Sequence, residues 1–225
     1  MYSSALAFAP QKSIVCQTFE SDIPAWLALR PEAETNWDQC LQKLEGHNGS
    51  VNSVAFSHDS ALVASASGDE TVRLWRTDTG DCVQELKGHS DSVFSVAFSH
   101  DSALVASASG DETVRLWRTD TGDCVQELKG HSDSVFSVAF SHDSALVASA
   151  SGDETVRLWR TDTGDCVQEL KGHSHSVNSV AFSHDSALVA SASYDKTVRL
   201  WRTDTGDCVQ QTEIGTALLP LAIQL

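Results

Sequence analysis

From residue 51 onward the apolar positions fall in short alternating runs cut by polar turns. Val51–Phe56 (VNSVAF) is the first such run, and the polar turn Ser57-His58-Asp59-Ser60 follows it. Residues 61–67 (ALVASAS) come next, then the turn Gly68-Asp69-Glu70, residues 71–75 (TVRLW), the turn Thr77-Asp78-Thr79-Gly80 and Cys82–Lys87 (CVQELK). Val, Leu, Ala and Phe alternating with Ser, Arg and Thr, with turn residues every 8–12 positions or so, predict strands and not helices. Gly80 supplies the left-handed turn position.

The same block then recurs. Residues 86–127 read LKGHSDSVFSVAFSHDSALVASASGDETVRLWRTDTGDCVQE, and residues 128–169 repeat them letter for letter. Near copies occupy 44–85 and 170–211, and Gly46, Gly88, Gly130 and Gly172 set a period of 42 residues. A fixed period of this size marks a repeat architecture. Four short antiparallel strands per period make one propeller blade. The expected fold is therefore all-β: four propeller blades (44–85, 86–127, 128–169, 170–211) within a domain spanning 39–213.

Residues 1–38 lie outside the repeat and read as a connector with a short helix, started at Asp22-Ile23-Pro24 and stopped by Pro31. Trp26 and Trp37 are expected to cover an end of the domain. Residues 40–44 read as an outer strand preceding any blade. Residues 218–223 (LLPLAI), within 214–225, mirror Val177–Phe182 and read as the truncated first strand of a further blade. Three outcomes compete, a strained four-blade closure, an open arc, or two chains joined into an eight-bladed ring. The expected one is an open, incomplete ring that forms a homodimer through its open blade ends or belongs to a longer gene product.

Each unit carries Gly-His, Val-x-Ser-Val-Ala-Phe, a Ser-x-x-x-Asp segment and Thr-Val-Arg-Leu-Trp. In this combination, from residue 40 to about 213, the units resemble WD repeats. Two departures stand out. Trp-Arg (Trp75-Arg76 and its copies) replaces the usual Trp-Asp, and His-Asp-Ser replaces the usual Pro-Asp-Gly; both fall in exposed turns or strand ends, where the blade should tolerate them. The segments SALAFAPQKSIVCQTF, IPAWLALRP and NWDQCLQKLEGH, with the tail VQQTEIGTALLPLAIQL, resemble those flanking the propeller of fungal NACHT–WD-repeat proteins, the NOD-like receptors of heterokaryon-incompatibility type. The chain has no GxxxxGK[ST] phosphate loop, so that family's nucleotide-binding part is not in it.

A His, a Ser, an Asp and a Trp recur at fixed offsets: His47, Ser65, Asp69, Trp75; His89, Ser107, Asp111, Trp117; His131, Ser149, Asp153, Trp159; and His173, Ser191, Asp195, Trp201. Ser, His and Asp together invite a triad reading. A hydrolase, however, needs one nucleophile beside one oxyanion hole, not one set per blade. The resemblance implies instead that each set is a buried hydrogen-bonded tetrad, so no catalytic residue is expected. His58, His100, His142 and His184 form another set; on separate blades they are not expected to converge on one metal, and no metal or cofactor is expected.

Differences between units point to function without any alignment. Against 86–127, the first unit changes at Glu45, Asn48, Gly49 and Asn52, and the last at His175, Asn178, Tyr194, Lys196 and Gln211. Apart from Glu45 and Gln211, all map to the segment entering the first strand or to the turn around the tetrad Asp. The resemblance places those loops on one rim, the partner-binding face. Phe94 and Phe136, Asn in the outer units, are the expected anchors, with Asp91, Asp133, His175, Tyr194 and Lys196 around them.

Composition narrows the partner. With 31 acidic and 15 basic residues the net charge is -16, which disfavours phosphate backbones and anionic lipid, so neither nucleic-acid binding nor membrane insertion is expected. Five of the six cysteines repeat at one position per unit (Cys40, Cys82, Cys124, Cys166, Cys208). Thiols placed one per repeat, with no closely spaced pair, fit a reducing, cytoplasmic location. The expected function is a non-enzymatic scaffold binding protein partners through its rim, as in the sensor part of a fungal NOD-like receptor. The alternative is an adaptor assembling a multiprotein complex of mitochondrial-division or ubiquitin-ligase type.

Overall fold

The structure, a computed structural model, describes residue 40 and residues 42–213, with side chains to residue 209. The connector helix, Trp26, Trp37 and the strand expected at 218–223 lie outside these residues. Contacts divide the chain into the units Met1–Lys43 and Leu44–Leu225, and the account below concerns the second.

Among the described residues sixteen strands form four antiparallel sheets in chain order. The first sheet is β1 (Val51–Phe56), β2 (Leu62–Ser67), β3 (Thr71–Arg76) and β4 (Cys82–Lys87). The second is β5 (Val93–Phe98), β6 (Leu104–Ser109), β7 (Val114–Arg118) and β8 (Cys124–Leu128). The third is β9 (Val135–Phe140), β10 (Leu146–Ser151), β11 (Thr155–Arg160) and β12 (Cys166–Lys171). The fourth is β13 (Val177–Phe182), β14 (Leu188–Ser193), β15 (Thr197–Arg202) and β16 (Cys208–Glu213). The strands expected from the alternating pattern are therefore present, to within a residue at their ends.

An outer strand at 40–44 is not. Among its described residues, Cys40 and 42–44 form no strand. In every blade the outer strand pairs with the third strand of the same sheet.

Small residues set the spacing between blades. The central Leu-Val-Ala-Ser-Ala-Ser strand is buried on both faces, as a strand sandwiched between neighbours must be. One face of a blade presents Ala64, Ala66, Val72 and Leu74, and these close a core with Val93, Val96 and Phe98 of the next. Equivalent cores join the second blade to the third and the third to the fourth. The row is open, not a four-blade closure: Val54 and Phe56 are 66% and 67% exposed, whereas their counterparts Val96 and Phe98 are 6% and 7% exposed.

A second line of contacts runs along the β1–β2 turns and their copies. The backbone N–H of His58, His100 and His142 donates to Ser102, Ser144 and Ser186 Oγ of the next blade, at 3.0, 2.9 and 2.9 Å. The rings of His58, His100, His142 and His184 follow one another with centroids 3.8, 4.0 and 4.1 Å apart. Separate blades therefore do not keep these histidines apart, because the inner turns of successive blades abut. The four form one exposed column; no group of three or more His, Cys, Asp or Glu arranged to hold a metal occurs among the described residues.

Buried tetrads and the candidate partner-binding rim

In the second blade His89 Nδ1 lies 2.8 Å from Asp111 Oδ2 and Nε2 lies 2.7 Å from Ser107 Oγ. Trp117 Nε1–H donates to Ser107 Oγ at 2.8 Å. A carboxylate only accepts, so Nδ1 carries the imidazole proton and Nε2 accepts from the serine hydroxyl. The chain of donation runs Trp117 to Ser107 to His89 to Asp111. Asp111 also accepts from Thr113 Oγ1 at 2.7 Å and from the Ser90 backbone N–H at 3.1 Å.

The other three tetrads repeat this pattern. In the first, Asp69, His47, Ser65 and Trp75 are linked at 2.9, 2.7 and 2.8 Å. Asp153, His131, Ser149 and Trp159 follow in the third, and Asp195, His173, Ser191 and Trp201 in the fourth.

The bonding order of Ser, His and Asp matches that of a hydrolytic triad, but access does not. Ser107 and Ser149 are fully buried, and each hydroxyl already receives an indole N–H. A substrate carbonyl cannot reach such an oxygen. A groove of about 470 Å3 between the second and third blades is lined by Ala103, Leu104, Arg118, Val125 and Thr161 among others, and no tetrad residue opens into it.

The tetrads shift their own acid–base behaviour. Burial works to raise the Asp111 carboxyl, but the bonds from Thr113, His89 and Ser90 outweigh it and hold the group below the usual carboxylate range. Asp69, Asp153 and Asp195 are held low by the same balance. Burial pushes His89 down, against the pull of Asp111.

The variable residues gather around the tetrad Asp of each blade. Ser109 Oγ donates to Asp91 O at 2.9 Å and the Gly110 N–H to Ser92 O at 2.9 Å, tying the incoming segment to the turn before β7. Asp133 is held alike by Ser151, and His175 by Ser193. In the first blade the Asn48 N–H donates to Asp69 Oδ2. Tyr194 is 68% exposed, and Lys196 is exposed beside it with a left-handed φ of 69°.

Asn52, Phe94, Phe136 and Asn178 occupy a β-bulge that shifts the register between the first two strands of each blade. Bulges re-aim side chains. The rings of Phe94 and Phe136 meet across two blades, 5.5 Å between centroids, and both are half-buried. Asn52 instead donates its side-chain amide to Val93 O of the next blade at 2.9 Å. Strict alternation in the sequence carries no sign of the bulge.

Some of these differences are coupled by contact. A Cβ on Gly110 would stand 2.9 Å from the Asp91 carboxyl, and one on Gly152 2.8 Å from that of Asp133. Only the fourth blade has a side chain there, Tyr194, and only there is the facing Asp a His, His175. Gly49 takes the same place in the first blade, where a Cβ would meet the Asp69 backbone nitrogen at 2.6 Å.

Comparison with known proteins gives the same unit. The WD40 family (WD domain, G-beta repeat) matches residues 38–76, 80–118, 122–160 and 164–202. Vegetative incompatibility protein HET-E-1 of Podospora anserina is 48% identical over 79 residues, 35% of this chain and 6% of that protein. WD repeat-containing protein 37 of Homo sapiens is 50% identical over 38 residues, 17% of this chain and 8% of that protein. Periodic tryptophan protein 2 of Saccharomyces cerevisiae is 34% identical over 74 residues, 32% of this chain and 7% of that protein. The match thus covers less than a tenth of each of these relatives. Four matched units, each folded as a four-stranded sheet around its own His-Ser-Asp-Trp chain, place the protein: it belongs to the WD40 family.

Proposed function

We propose that the chain is a non-catalytic scaffold that binds protein partners through the rim formed by the β-bulges and the turns around the tetrad Asp residues, as the sensor part of a fungal NOD-like receptor would. The observation that carries this reading is where the units differ. Apart from Glu45 and Gln211, every difference lies at that rim, while the cores, the inner turns with their histidines and the tetrads stay constant. Packing explains why cores stay constant, since a core change leaves a cavity or a clash. It does not explain why the exposed residues of the β3–β4 turns, such as Thr121 and Asp123 and their copies, are also unchanged.

Phe94 and Phe136 are the anchors, a paired aromatic patch set among Asp91, Asp133 and Ser side chains. Likeness to HET-E-1, a vegetative incompatibility protein, supports a recognition role over a metabolic one. The acidic balance favours protein over nucleic acid. The exposed thiols of Cys82, Cys124 and Cys166 suit a reducing cytoplasm.

The double variant Phe94→Asn, Phe136→Asn tests the assignment. Asn occupies both equivalent positions in the outer blades, so the fold should be kept. Affinity for a partner purified on the wild-type chain should drop by about tenfold or more, the effect of losing a hot-spot aromatic. Unchanged affinity would remove the rim from consideration.

A further inference from the structure

The two ends of the row carry complementary halves of one interface. Every internal core joins a trailing set (Ala64, Ala66, Val72 and Leu74 in the first blade) to a leading set (Val93, Val96 and Phe98 in the second). On the first blade the leading set is Val51, Val54 and Phe56, and all three are exposed although their counterparts in the second blade are buried. On the fourth blade the trailing set is Ala190, Ala192, Val198 and Leu200. These are only half-buried, whereas their counterparts in the other three blades are fully buried.

The polar ties are halved in the same way. His58, His100 and His142 each donate a backbone N–H to a serine of the following blade. Among the described residues, His184 has no such acceptor and Ser60 Oγ no such donor. Asn178 repeats Asn52, whose amide reaches the first residue of the next blade's leading strand.

We propose that these faces form an interface for a second copy of this chain. The fourth blade of one protomer docks on the first blade of its partner as each blade docks on the next within the chain, and the reciprocal contact closes an eight-bladed ring. Continuity with the internal interfaces argues for this occupant. The leading faces of the second, third and fourth blades are each covered by a trailing face of one sequence, and a second copy offers that surface with Leu200 and its neighbours. Contact between unlike faces closes only when a whole number of blades completes the turn, and otherwise extends into fibres. Two copies supply eight blades, the top of the usual range of about four to eight. The proposal does not depend on the rim reading.

Sedimentation equilibrium of the full chain at micromolar concentration tests it. The expected mass is twice the 24.2 kDa of the chain. The variant Val54→Glu, Phe56→Glu spoils only the leading face, and Leu200→Glu only the trailing face. Each should sediment as a monomer with the parent's circular dichroism, its self-association weakened about 100-fold or more, as burying an unpaired carboxylate demands. Mixing the two variants should restore a dimer, because one intact trailing face then meets one intact leading face. A monomeric wild type, dimers indifferent to these substitutions, or a mixture that stays monomeric would each overturn the proposal.

Discussion

At the inner turn, two residues that depart from the usual Pro-Asp-Gly make a contact that the usual ones cannot. Proline has no N–H and glycine no hydroxyl, whereas His58 donates its N–H to Ser102 Oγ across the blade boundary. Ser102 holds a left-handed φ of 59° to do so, a conformation costing a non-glycine residue about 1 kcal/mol. Ser102→Ala loses the bond and keeps the strain, and should cost about 1 kcal/mol in urea unfolding. Ser102→Gly loses both and should cost less; the reverse order would contradict the trade. Asp111→Ala leaves His89, Thr113 and the Ser90 N–H without their acceptor, at about 1–3 kcal/mol for each buried group stranded, and should lower the melting temperature by several degrees. An unchanged midpoint would mean that the tetrad contributes nothing to stability. Gly110→Tyr alone should destabilise through the Asp91 carboxyl, and Asp91→His added to it should recover most of the loss. The tetrads could be seen in the sequence because four residue types recur at fixed offsets. The Asp91–Gly110 and His58–Ser102 couplings could not, since they depend on which loops touch.

On the scale of strands and turns, the sequence pattern located the strands but hid two features that depend on neighbours. One is the bulge that turns Phe94 toward Phe136. The other is the histidine column, which arises because identical turns stack. Through His142, that column should make stability depend on pH. Loss of solvent contact and the nearby His100 and His184 push His142 down, with Asp143 pulling the other way, and burial pushes His89 down. A histidine that holds its proton less tightly when folded costs stability as pH falls below its unfolded value, about 6.5. The tetrad carboxylates are depressed; they stabilise the fold above their unfolded value of about 3.9 and lose that contribution below it. The melting temperature should therefore be flat above pH 7, fall between about 6.5 and 5, and fall again below about 4. His142→Gln should make the first fall shallower. An equally deep fall in that variant would take the column out of the account.

Across the whole row, chemically identical residues sit in unequal surroundings. Leu116 is fully buried between blades, and Leu200, at the same place in the fourth blade, is not. At nanomolar concentration, where copies stay apart, Leu116→Ala should cost about 2–5 kcal/mol and Leu200→Ala well under half as much. Equal costs would show that something covers the trailing face even then. Blade number and blade structure could be inferred from the repeat, but ring closure could not, because it depends on the rotation between sheets. The constancy of the internal contacts also bears on inheritance. The core of every boundary between blades joins the same constant residues, so recombination between units adds or deletes a whole blade while leaving the cores of the remaining boundaries intact. Such a gene can lengthen, shorten and reshuffle its variable rim letters by unequal crossing-over, as long as about three or more units remain to bury one another's faces.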